Sequence, residues 1–146
     1  MAHHEIIHKY SPILKFHDQE QYFPCSIEYY LDNCTSNNGS VQIKDVHTIT
    51  PGNLCNNHNT KKTVLNIQSS AWKTKFDKQS PIYTTVRETK MMFIIQYIML
   101  YAFNGSYKIL GHSVGEHQCD IEHITVHVSK DIQEIAEIYY SAHTHE

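Results

Sequence analysis

Three side chains in the C-terminal third have the types and spacing for cation chemistry. His117, Asp120 and Glu122 lie within VGEHQCDIEHITVHV, Val114 to Val128. Asp120 and Glu122 are two residues apart, and Ile124, Val126 and Val128 continue the same parity, the period of a half-buried strand. Residues two apart on a strand face the same way, so the two carboxylates stand side by side where the strand begins. His117 precedes them in what reads as a turn behind Gly115, from which it folds back toward the pair. Two carboxylates and one imidazole suit Ca²⁺ or Mg²⁺, with water completing the shell. The single imidazole also admits Mn²⁺ or Zn²⁺. Without a cation, the same groups and His123 would form a hydrogen-bonded polar corner.

Other polar residues are placed around this stretch by the same reasoning. His123 and His127 fall on the opposite strand face and point to solvent. His143 and His145 reach the same corner if the last strand pairs beside the acidic one. His17, Asp18 and Glu20 form a second small polar cluster near the N-terminus.

The chemistry excluded is as informative. The chain contains no Gly-rich phosphate loop, no nucleophile elbow and no Ser/His/Asp order. The catalytic alternative is a metal-dependent hydrolase using the same-face carboxylates, and a non-catalytic binding module is the expected reading. A net charge of −3 with no basic run argues against nucleic acid. Twelve histidines make the surface charge sensitive to mild acid. Cys25, Cys34, Cys55 and Cys119 include no C-x-x-C pair, which argues against a zinc knuckle. Cys25 with Cys34, or Cys34 with Cys55, are both open as disulfides in an oxidising compartment.

The positioning elements read as one 146-residue domain with 40% hydrophobic and 11% aromatic residues. Ile13, Leu14 and Phe16 predict a short strand. Pro24 and Ser26 start a short helix with Ile27, Tyr30 and Leu31 on one face, ended by Asn33. Val41 to Ile49 alternates as a strand before the Thr50–Asn53 turn, and Asn56 to Lys62 is a polar loop. Val64, Leu65 and Ile67 predict another strand. Trp72 reads as a packing anchor in a polar stretch that also holds Phe76. Ile82 to Glu88 predicts a strand, and the apolar run Met91 to Phe103 a central strand buried on both sides, with a buried helix as the alternative. Tyr107 to Gly115 reads as a loop, and Ile135 to Ala142 as the last strand. The expected fold is mainly β, an antiparallel β-sandwich with one or two short peripheral helices. MAHHEIIHKY has no apolar secretory segment, and the run from Met91 is too short to span a membrane, so no signal peptide and no transmembrane helix are expected. The expected location is cytoplasmic or membrane-peripheral.

Three stretches in order, FHDQEQYFPCSIEYYLDN, YIMLYAFNG and GEHQCDIEHITVHV followed by YYSAH, resemble the vacuolar protein sorting-associated protein 62 family, found in fungi, plants and some large DNA viruses. Its pattern runs F-H-x-x-E-x-Y-x-P-x-S-x-E, then Y-x-F/Y-N-G, then G-E/D-H-x-x-D-W-E-H. The third stretch is also similar to the G-H-R-H-D-W-E signature of necrosis- and ethylene-inducing peptide-like proteins, secreted β-sandwich cytolysins that bind a divalent cation beside a membrane-contacting surface. The ligands of that signature fall by position on His117, Asp120 and Glu122. Asn104 is the nearest polar counterpart of a further upstream Asp ligand. The signature's Trp is Ile121 here, and its second His is Cys119. The family also carries a His and a Glu at His17 and Glu20. The resemblance implies a divalent-metal-binding module acting at a lipid or membrane surface or in vacuolar trafficking. The alternative is a structural component of a larger protein assembly, such as a large DNA virus particle. It also implies that relatives continue past the point where this sequence stops.

Overall fold

The computed structural model describes residues 2–36, 65–75 and 80–141. The predicted Val41–Ile49 strand, its turn, the polar loop, Val64, Cys55, Phe76, His143 and His145 lie outside them. The described residues are mainly β, in antiparallel sheets with two short helices, as the patterning implies. They cluster into two compact units: residues 1–20, 81–99 and 121–146, and residues 21–80 and 100–120.

The first unit is built on the long apolar run. Strand β5 (Met92–Asn104) is the expected strand rather than a helix, and its side chains are buried or half-buried throughout. β4 (Tyr83–Glu88) pairs with it antiparallel, from Tyr83 opposite Ile98 to Glu88 opposite Phe93. Thr89 closes that hairpin, its hydroxyl accepting from Met92 N at 2.9 Å. β8 (His117–Ser129) and β9 (Ile135–Tyr140) pair antiparallel, with a bulge between His127 and Val128. β5 and β8 are neighbours in one five-stranded sheet that has β9 at one end.

Helix α1 (His3–Lys9) was not foreshadowed by the sequence. HHEIIHK is short and polar, and the cap residue is Ala2, which offers no side-chain acceptor. The helix forms because Ile6 is buried against Ile95, Tyr97, Val126 and Val128. The Tyr97 hydroxyl, whose pKa burial pushes up to about 12, donates to Ile7 O at 2.7 Å. Glu88 receives Lys130 at 2.8 Å and His3 at 2.6 Å. The Lys130 bond first, then that of His3, holds its carboxyl below the usual range. The predicted strand over Ile13 to Phe16 is absent. Pro12 lacks an N–H, no strand pairs with the segment, and Ile13 is 87% exposed.

The second unit contains the expected helix, α2 (Ile27–Asp32). Ser26 caps it by accepting from Tyr29 N at 3.0 Å, and Asn33 ends it. β1 (Pro24–Cys25) pairs with β5 at Tyr101 and Leu100. β2 (Cys34–Ser36) pairs with β3 (Leu65–Ile67), the predicted short strand. The core holds Cys25, Tyr30, Cys34, Ile67, Ala71, Leu100 and Ala102. Trp72 is the expected anchor: it stacks on Phe103 at 4.0 Å and 9°, and its Nε1 donates to Ile67 O at 3.3 Å. The predicted loop after Gly105 is instead a hairpin, β6 (Tyr107–Ile109) and β7 (His112–Val114), turning through Leu110 and Gly111, both at positive φ. Cys25, Cys34 and Cys119 are free thiols.

Burial raises the Cys25 thiol from an ordinary 9.0 to about 11. A raised acid favours the neutral form on folding, so this contribution is complete below pH 9 and is lost as pH rises through 11. Iodoacetamide at pH 8 is therefore expected to label the exposed Cys119 of native protein and to spare Cys25. Peptide mass spectrometry reads this directly, and rapid Cys25 labelling would contradict the burial.

Candidate functional site

In the second unit, the His117 imidazole stands beside Asp120 and Asn104. His117 Nε2 lies 3.8 Å from Asp120 Oδ1 and 3.4 Å from Asn104 Nδ2. Asn104 Nδ2 also lies 3.5 Å from Gly115 O. The Asp120 side chain is 15% exposed and that of His117 42%, so the acid is sheltered and the imidazole reaches water. His117, Asp120 and Asn104 are thus neighbours, drawn from the end of β5 and the start of β8, and Glu122 is not among them.

Backbone conformation explains how His117 reaches Asp120. In a regular strand, residues three apart face opposite ways. His117 lies inside β8 rather than in a preceding turn, yet it turns to the Asp120 side because Cys119 adopts φ 58°. A left-handed residue in a strand acts as a bulge that re-aims its neighbours. Outside glycine that conformation costs about 1–2 kcal/mol, and such strain clusters at functional sites.

The second stretch is packed on the first, and the third is tied to β3. Gly105 lies so close to the Tyr22 ring that a Cβ there would stand 2.3 Å from Tyr22 Cε2. Tyr22 also packs on Phe103 at 5.5 Å. The Thr74 hydroxyl, buried, accepts from Phe23 N at 2.8 Å and donates to Phe23 O. Gln118, which sequence reasoning passed over, accepts from Ile67 N at 2.7 Å and ties β3 to the start of β8. Nothing in its type or spacing signalled that role.

The remaining candidates lie in the first unit. The Glu122 carboxylate accepts from the hydroxyl of Ser141, which itself accepts from His123 N at 2.8 Å. Ser141, also unforeseen, fixes Glu122 where β9 ends. The His123 ring stands 5.9 Å from Tyr139. His127 pairs with Glu137 at 3.2 Å on the facing strand. His17 and Glu20 close a local turn, with Gln19 N donating to His17 Nδ1 at 3.1 Å and Glu20 N to His17 O at 2.9 Å. β9 does pair beside β8, the arrangement that His143 was expected to need, but His143 is not among the described residues. Among those residues, no three His, Cys, Asp or Glu side chains cluster closely enough to hold a metal ion. No described helix is long and apolar enough to cross a membrane.

The model of the vacuolar protein sorting-associated protein 62 family matches residues 2–146. The chain belongs to this family. No curated protein and no solved structure matches it. Vacuolar protein sorting-associated protein 62 membership gives the chain a sorting-related assignment, and it gives the geometry a reading. Tyr22, Asn104 with Gly105, and His117 with Asp120 come from the three stretches that carry the resemblance, and they converge in one unit.

Two substitutions check this geometry. Gly105→Ala must displace the Tyr22 ring, with an expected loss of about 1–3 kcal/mol by urea unfolding. Cys119→Val places a β-branched residue at positive φ and is expected to lower stability by about 1–2 kcal/mol, whereas Cys119→Ala stays near wild type. Equal stability of the Val and Ala variants would show that Cys119 is not left-handed.

Proposed function

We propose that this chain is a non-catalytic module of vacuolar sorting that binds one divalent cation at the His117 corner and uses it for association with a membrane surface. The observation that carries the reading is the position of the His117 imidazole, between the sheltered Asp120 carboxylate and the Asn104 carboxamide, where two of the stretches that carry the family resemblance meet. One imidazole, one carboxylate and one amide oxygen, with water, make a donor set for a hard cation, Ca²⁺ or Mg²⁺. Asn104 turns its Nδ2 to His117, so ligation would require the carboxamide to present its oxygen instead. With one carboxylate in that set the site is weak, on the order of 10⁻⁴–10⁻³ M, because affinity follows the number of charged ligands. Glu122, engaged by Ser141, is an acidic neighbour along the same strand. The exposed Ile121, 58% accessible, adds an apolar residue between the two acids.

Thermal melts with excess Ca²⁺ and with chelator test the cation. Wild type is expected to gain stability with Ca²⁺, about 2.7 kcal/mol at a hundredfold excess over Kd, and Asp120→Asn to show no gain. Flotation with anionic liposomes tests the membrane: binding is expected with Ca²⁺, and not with chelator or in Asp120→Asn. A wild-type melt unmoved by Ca²⁺ and Mg²⁺ would refute the cation, and chelator-resistant flotation would refute its role at the membrane.

A further inference from the structure

The first unit has an apolar groove of about 440 Å³ that belongs to no part of the cation corner. Its floor is the same-face cross-strand pairs Ile124–Tyr140 and Val126–Ile138, and residues 10–14 line its other side. Much of this apolar surface faces water: Ile13 is 87% exposed, Tyr140 65% and Ile138 44%. Isolated exposed apolar residues are ordinary, but a contiguous concave set marks a binding surface. The volume lies within the range of small-molecule sites, about 300–1,000 Å³.

The charge of the lining selects the ligand. Among the described residues it includes Lys9 and Lys15 and no carboxylate. Lys9 lies 3.5 Å from the Gln133 side-chain oxygen and sits over the Tyr10 ring, and it has no ion pair among the described residues. Lys15 has no ion pair among the described residues. An apolar trough whose charged described lining is cationic fits an apolar chain that carries one negative end. We propose that this groove binds a long-chain fatty acid, its hydrocarbon chain along the Ile124–Tyr140 and Val126–Ile138 floor and its carboxylate at Lys9 and Lys15. A strand-forming peptide would instead use the edge of β9 that pairs with no other strand among the described residues, and a second copy of the chain would cover the same face without needing the lysines.

The experiment is a fluorescence titration with cis-parinaric acid, run in chelator so that the outcome is independent of the cation corner. Parinarate emission is expected to rise on binding and to fall on displacement by oleate, while oleylamine competes poorly. Lys9→Glu with Lys15→Glu is expected to weaken oleate about tenfold and to favour oleylamine. Ile138→Glu, at a half-exposed position, is expected to abolish binding while melting within a few degrees of wild type. Absence of parinarate binding would overturn the proposal, as would oleylamine competing as well as oleate. Light scattering that shows a dimer, made monomeric by Ile138→Glu, together with no parinarate signal, would assign the face to a second copy instead.

Discussion

The candidate site depends on a steric constraint rather than on its polar atoms. Tyr22 can lie against the chain at residue 105 only because no side chain stands there. That contact, with the Phe103 ring packed on Tyr22 and stacked by Trp72, fixes the end of β5 and so fixes Asn104. The left-handed turn at Cys119 does the equivalent for β8, bringing His117 round to Asp120. Weak polar contacts at 3.4–3.8 Å would not hold this corner by themselves. The corner is held by apolar packing and backbone conformation, and the polar groups are what that scaffold presents.

Much of this was legible in the residues. The thirteen-residue β5 showed itself as an unbroken apolar run, and β8 as an alternating one. Ser26 and Asn33 marked both ends of α2, because capping is a local interaction that a few residues encode. Asn104 entered only through family resemblance, and the structure places it against His117.

What was not legible has physical reasons. The turn of the β6–β7 hairpin needs positive φ at two residues, and Leu110 fills the first, where Asn or Asp would have been the recognisable signal. Helix α1 exists because Ile6 has a cavity to fill and Tyr97 a carbonyl to cap, both contributed by strands more than eighty residues away. The strand expected over Ile13 to Phe16 had the right side chains and no ladder partner, and side-chain pattern alone does not supply one. Glu122 shares its strand with Asp120, yet its carboxylate is engaged by Ser141, a hydroxyl with no motif to announce it.

The chain's only tryptophan is Trp72, and its ring is stacked in the second unit. Emission excited at the red edge of the indole band therefore reports the environment of that unit alone, while the ten tyrosines are shared across the sequence. Comparing the two optical signals during denaturation makes the molecule its own cooperativity gauge. Coincident transitions would mean that the two clusters melt as one body, and separated transitions would give each its own free energy.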